Sequence, residues 1–156
     1  MKDTNTINNC IHPKIHLRFD TQEKFFGPGV CELLELIDET GSVQKACARM
    51  ELSYSKGSKM LKKLDQVIGI SMVERWAGGA GGGGARLTEA GKKLVKTYRK
   101  METEVQKAAE DAFYKYYGED FRKAITINSS ITEESVISLE KAIIDIQPGG
   151  TTDEAD

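Results

Sequence analysis

Lysines 56, 59, 62 and 63 are spaced three, three and one apart in the segment SYSKGSKMLKKLDQVIG. On a helix that spacing gathers positive charge on one side. Ser53, Tyr54 and Ser55 open the segment and Ser58 lies within it, adding hydroxyls that both donate and accept hydrogen bonds. Ammonium groups neutralise phosphates, and short polar side chains at a helix start reach base edges in the major groove of DNA. The plain alternative is a solvated lysine face, so the surrounding elements must decide between the two.

A second candidate is the run ERWAGGAGGGGARLTEAG, residues 74–91, whose middle has almost no side chains. It allows a phosphate cradle, a linker or the tip of a hairpin. GAGGGG at 79–84 satisfies the spacing G-x-G-x-x-G, but that fingerprint needs its last glycine to open a helix. Here ARLT, a strand-like stretch, intervenes, and no Gly-Lys-Ser or Gly-Lys-Thr follows. Apolar strands close on both sides also disfavour a linker. The run therefore reads as a hairpin tip formed by Gly79, Gly81, Gly82, Gly83 and Gly84, flanked by Arg75 and Arg86. Backbone N–H groups at such a tip can approach phosphates without side-chain readout.

Cys10, His12 and His16 have the spacing C-x-H-x3-H of a possible metal site, but they straddle Pro13 and enter a strand pattern, with no second cysteine pair. No metal or other cofactor is expected. Cys31 and Cys47 fall on apolar helix faces and read as small core residues. No grouping of serine, cysteine or carboxylate proposes catalysis, so an enzyme is not expected.

The elements that position these residues follow from periodicity. KIHLRF alternates as a short strand with Ile15, Leu17 and Phe19 on one face. Gly27 and Pro28 open a helix carrying Val30, Leu33, Leu34 and Ile37, which Gly41 stops. Ser42 caps a short helix with Ala46, Cys47 and Met50 inward. MELS is a tight connection, and Ser53 caps a second helix that buries Met60, Leu61, Leu64 and Ile68 before Gly69 ends it. ISMVERWAGG and ARLT are the hairpin strands. Two short helices joined by a tight turn are a helix-turn-helix, and strand, three helices, hairpin, helix is the winged-helix order. Ser42 and Gln44, at the start of the first helix of the pair, join Ser53, Tyr54, Ser55, Lys56, Ser58, Lys59, Lys62, Lys63, Arg75 and Arg86 as the expected DNA-binding set.

From Thr88 a long helix runs to about Tyr117. Leu94, Tyr98, Met101, Val105, Ala108 and Ala112 recur in alternating steps of four and three, a heptad seam expected to pair with a second copy. A dimer would set two reading helices about 34 Å apart, the repeat of a palindromic site.

Composition agrees. The 156 residues suit one compact domain with appendages, a mainly α (α+β) winged helix-turn-helix with a glycine-tipped wing and a long dimerisation helix. The expected division is a mobile N-terminus at 1–13, a DNA-binding domain at 14–87, the dimerisation helix at 88–118 and an acidic tail at 119–156, with a short helix near 133–144 and a disordered end after Pro148. The net charge of −2 averages a basic block, with Lys45, Arg49, Lys56, Lys59, Lys62 and Lys63 against Glu51 between Ser42 and Leu64, and a tail with nine acids against three bases. The tail is expected to shield the basic face when DNA is absent. Three cysteines without paired spacing, no signal-like N-terminus and no apolar run near the roughly 20 residues of a membrane span point to the cytoplasm.

FFGPGVCELLELIDETGSVQKACARMELSYSKGSKMLKKLDQVIG followed by MVERWAGGAGGGGARLTEAGKKLV resembles the N-terminal DNA-binding domain of the ModE family of molybdate-responsive regulators, itself related to the LysR-type winged helix. The likeness covers about residues 14 to 117. It implies that the helix from Ser53 enters the groove, that the glycine hairpin is the wing and that the long helix forms the dimer. Ser53, Tyr54, Ser55, Lys56, Ser58 and Lys59 occupy the matching positions. No stretch resembles the oxyanion-binding domains with which that family senses molybdate. The expectation is a homodimeric, sequence-specific, double-stranded-DNA-binding transcription regulator whose effector is unknown. The alternative is a winged-helix interaction adaptor that does not bind DNA, and a nucleotide-binding enzyme resting on the glycine run is a third reading.

Overall fold

The computed structural model describes residues 12–124 and 133–145. The expectations for the N-terminus up to residue 11, for Cys10 and for a disordered end after Pro148 lie outside the described residues. So does most of what concerns a shielding tail.

His16–Thr103 form one compact unit. Its elements are β1 (Phe19–Asp20), β2 (Lys24–Phe26), α1 (Pro28–Thr40), α2 (Val43–Arg49), α3 (Tyr54–Ile68), β3 (Val73–Trp76), β4 (Gly84–Leu87) and the first part of α4 (Glu89–Ala124). Local chemistry sets the boundaries. Gly27 precedes Pro28 at the start of α1, and Gly41 closes it with its N–H on the Ile37 carbonyl. The Ser42 and Ser53 hydroxyls accept from the Lys45 and Lys56 amides at 3.3 and 3.2 Å, capping α2 and α3 as expected. Beyond Gly69, the Asp65 carboxylate accepts from the Ser71 hydroxyl and the Met72 amide, both at 3.0 Å, and so fixes the turn from α3 into β3.

The core is continuous across these elements. Cys31, Leu33, Leu34 and Ile37 of α1 meet Val43, Ala46 and Cys47 of α2, Leu61 and Leu64 of α3, and Met72, Val73, Ala85 and Leu87 around the β3–β4 hairpin. Phe26 and Tyr98 complete it, with Tyr98 edge-on to Phe26 and Phe19 at ring-centroid distances of 4.9 and 5.7 Å. Ile68, expected inward, is 37% exposed because α3 outruns the core in its last turn. The strand expected from Ile70 begins only at Val73, and Ile70 is exposed.

The strand expected over Lys14–Phe19 is a second correction. Only Phe19 and Asp20 are in a strand, paired antiparallel with Lys24–Phe26 across a bulge. The alternation is real, with Ile15, Leu17 and Phe19 half-buried and their neighbours Lys14, His16 and Arg18 exposed. Among the described residues, Lys14–Arg18 have no neighbouring strand. The Leu17 carbonyl instead accepts from the Tyr98 hydroxyl at 2.8 Å. Burial pushes the Tyr98 hydroxyl up to about 12, so it remains a donor at any working pH. Tyr98→Phe is expected to cost about 1 kcal/mol by leaving that carbonyl short of a donor, read as a lowered Tm. An unchanged Tm would show the bond to be idle.

In the second unit, residues 12–15, 104–124 and 133–145 are described. There Gln106 plays the part of a strand edge. Its Oε1 accepts from the Ile15 amide at 3.0 Å and its Nε2 donates to the Pro13 carbonyl at 2.7 Å. Helical backbone continues to Tyr117. Gly118, with φ 78° and ψ 167°, breaks α4 into the long helix and a short continuation. The acidic segment carries α5 (Glu133–Ile144), where a short helix is expected.

Candidate nucleic-acid interface

The presentation of α3 depends on how closely it crosses α2. Gly57 is buried, and a Cβ placed there would lie 2.2 Å from the Cys47 sulfur. A larger residue fits only if the Cys47 side chain or one of the helices moves. The turn between them is held by the Leu52 amide on the Cys47 carbonyl at 2.9 Å, with Glu51 at φ 54°. Burial pushes the Cys47 thiol up, which keeps it protonated and unreactive in this contact.

With Gly57, Leu61 and Leu64 inward, α3 turns Tyr54, Ser55, Lys56, Lys59 and Lys62 to solvent, Tyr54 being 52% exposed. Among the described residues, Lys56, Lys59 and Lys62 have no carboxylate within ion-pair distance. The one acid of α3, Asp65, is spent on the turn into β3. Two expected members of the face are placed differently. Lys63 is half-buried and paired with Glu23 at 2.6 Å, an exposed contact that draws the Glu23 carboxyl below its usual range. The Ser58 hydroxyl is buried with no hydrogen-bond partner among the described residues, at the side of α3 rather than on its outer face. Ser42 is half-buried in its capping role, whereas Gln44 and Lys45 are exposed on the first turn of α2.

β3 and β4 pair antiparallel with Glu74 opposite Arg86 and Arg75 opposite Ala85. Alternation then separates the two arginines. Arg75 shares the face of Val73, Ala85 and Leu87, which is turned to the core. From there it reaches the start of α3, with Nη1 donating to the Tyr54 hydroxyl at 3.5 Å. Together with Ser58, Lys62, Asp65 and Ser71 it lines a groove of about 620 Å³ between α3 and the wing. Arg86 is on the other face, bound to Glu74 at 2.8 Å and lying 6.0 Å from the Trp76 ring centre. The structure thus brings Arg75, not Arg86, to α3. At the tip, the Gly82 amide donates to the Gly79 carbonyl at 3.0 Å, and Gly82 has φ 79°, a left-handed conformation that glycine adopts without cost. Trp76, 49% exposed, lies over Gly84, where a Cβ would meet its ring at 2.2 Å. Sequence spacing marks neither Gly57 nor Trp76, because one glycine in a helix and one aromatic beside a glycine run have no period.

The expected seam on α4 divides as well. Leu94 packs on the core and Tyr98 is 1% exposed, so both are occupied within their own protomer. Met101, Ala108 and Ala112 are exposed and Val105 is half-buried. Arg99, beside this stripe, forms a two-pronged pair with Glu35 at 2.8 and 2.7 Å, and these hydrogen bonds hold its guanidinium charged.

Three helices, a tight turn between the second and third, and a two-stranded hairpin leading into a long helix make this a winged helix-turn-helix. The sequence profile of the bacterial regulatory helix-turn-helix proteins of the lysR family matches residues 31–92, from α1 to the first turn of α4. The chain is 37% identical over 76 residues to the molybdenum transport protein ModE of Azotobacter vinelandii, covering 49% of this chain and 28% of that protein. It is 33% identical over 96 residues to the DNA-binding transcriptional dual regulator ModE of Escherichia coli (strain K12), covering 61% of this chain and 37% of that one. The crystal structure of a CbnR_DBD–DNA complex matches 54% of this chain and 91% of its own, with 18% identity and a TM-score of 0.43. Residues 31–92 are thus similar to the LysR-type helix-turn-helix, and ModE proteins are among the relatives that the chain resembles there. The chain spans about a third of the length of those curated relatives. No helix among the described residues is long and apolar enough to cross a membrane.

Proposed function

We propose that this chain binds double-stranded DNA as a homodimeric transcription regulator, with α3 in the major groove and the wing on the backbone. The observation that carries the reading is the outer face of α3, where three lysines stand without acidic partners among the described residues, beside Tyr54 and Ser55. Surface lysines with no binding role are commonly interspersed with acids, whereas here the one acid of α3, Asp65, is bound at the turn into β3. Lys56, Lys59 and Lys62 neutralise phosphates or reach guanine. Ser53, Tyr54 and Ser55 face bases, and Arg75 steers the Tyr54 phenol. Gln44 and the amides of the Gly79–Gly84 tip contact backbone. In this reading residues 14–87 are the DNA-binding domain, 88–118 the pairing helix and 119–156 an acidic appendage. The pairing face runs through Met101, Val105, Ala108 and Ala112, since Leu94 and Tyr98 serve the core. The E. coli relative is described as a DNA-binding dual regulator, which supports the assignment.

Anisotropy titration of a 30-base-pair duplex at several salt concentrations tests this. Three lysine contacts per protomer contribute about −5 to the log–log slope of a dimer, at roughly −0.9 per phosphate. A slope near zero contradicts the reading. Ser55→Ala and Tyr54→Phe are expected to change which sites are recovered from a random-duplex selection while leaving the salt slope intact. An unaltered site preference would remove both residues from base readout.

A further inference from the structure

Basic groups flank α3 on the side away from the wing as well as on the wing side. At 100° per residue, Lys62 and Lys63 lie about 60° and 40° to either side of Lys59, the middle of the outer face. The Lys62 side opens on the groove that holds Arg75. The Lys63 side opens on a separate cleft of about 300 Å³ between α3 and the β1–β2 hairpin, whose lining includes Met60, Lys63, Phe25, His16, Arg18 and Lys24. His16, Arg18 and Lys24 are exposed, and neither Arg18 nor Lys24 has an acid within ion-pair distance among the described residues. The acids nearby are Glu23, which is held by Lys63, and Asp20, which faces Lys24 across the ladder without an ion pair.

A helix lying in a major groove about 12 Å wide runs between two phosphate backbones. The wing serves one of them. We infer that the N-terminal hairpin serves the other, with Arg18 and Lys24 contacting phosphates so that α3 is clamped from both sides. The inference rests on the DNA-binding reading and adds to it residues that neither the basic block of α3 nor the wing includes. The contacts are electrostatic and independent of sequence. They fix how deeply and at what angle α3 enters the groove.

The test uses the full chain and a random-sequence 30-base-pair duplex, comparing wild type, R18A/K24A, the charge-preserving R18K/K24R and K59A. Both hairpin residues are exposed, and the Tm of each variant confirms that the fold is kept. R18A/K24A is expected to bind at least tenfold more weakly at 50 mM salt. Its log–log slope should be shallower by about 2 per protomer, and R18K/K24R should bind like wild type. If K59A weakens binding and R18A/K24A does not, the hairpin contact is wrong while the reading of α3 stands. If R18K/K24R is as weak as R18A/K24A, shape rather than charge is at work and the inference also fails. If K59A binds like wild type, the DNA-binding reading itself fails and takes the inference with it.

Discussion

Alanine at Lys56, Lys59 and Lys62 together is expected to lower affinity for duplex DNA on the order of 10³-fold near 0.1 M salt, with the log–log slope falling by about 5 units for a dimer. All three side chains are exposed and have no ion-pair partner among the described residues, so their loss leaves the core and its caps untouched. The fold should therefore survive, and Tm should move by no more than surface substitutions usually move it. The comparison with Arg86→Ala is informative, because Arg86 is already bound to Glu74 on the far face of the wing. That change should cost little binding. Equal losses from the two variants would mean that net charge, not the face of α3, governs the interaction.

The second large effect is on stability. Gly57→Ala drives a methyl to within 2.2 Å of the Cys47 sulfur, a side chain buried between the two helices. A cost of about 1–3 kcal/mol is expected, the range for overpacking a tight core. Cys47→Ala removes that sulfur. The next atoms that a Gly57 methyl meets, the Cys47 Cβ and Leu33 Cδ2, are both at 3.8 Å, an ordinary contact. The double variant G57A/C47A is therefore expected to be no less stable than C47A alone, giving a coupling of at least about 1 kcal/mol. Urea denaturation of the four proteins measures it. Additive costs would show that the helices yield elsewhere and that the contact does not set the α2–α3 crossing. The same cycle read by DNA affinity links packing to function, because a shifted α3 misplaces every group on its outer face.

Much of this architecture was legible from local chemistry. Ser42, Ser53, Gly41 and Gly69 mark helix ends through side-chain acceptors and stop signals that act within four residues, so no tertiary knowledge is needed. The glycine hairpin was legible because strand-like stretches lie close on both sides and no helix opens at its last glycine. What sequence spacing did not reveal depends on partners distant in the chain. Leu17 lies 81 positions from the Tyr98 hydroxyl it accepts from, so an alternating stretch passed for a strand when its neighbour is a helix side chain. Tyr98 fits a heptad step and a core position equally well, and only the Phe19 and Phe26 rings decide between them. Lys63 reads like its neighbours until Glu23, 40 positions earlier, is brought beside it. Arg75 and Arg86 look equivalent around the glycines. The register of the hairpin then puts them on opposite faces.

Selection from a random duplex library with the purified chain, followed by sequencing, tests the central claim most directly. The account predicts enrichment of an inverted repeat whose half-sites are centred about one helical turn apart, and loss of that enrichment when Lys56, Lys59 and Lys62 are replaced. Recovery of unenriched sequence by a folded wild-type chain would contradict it.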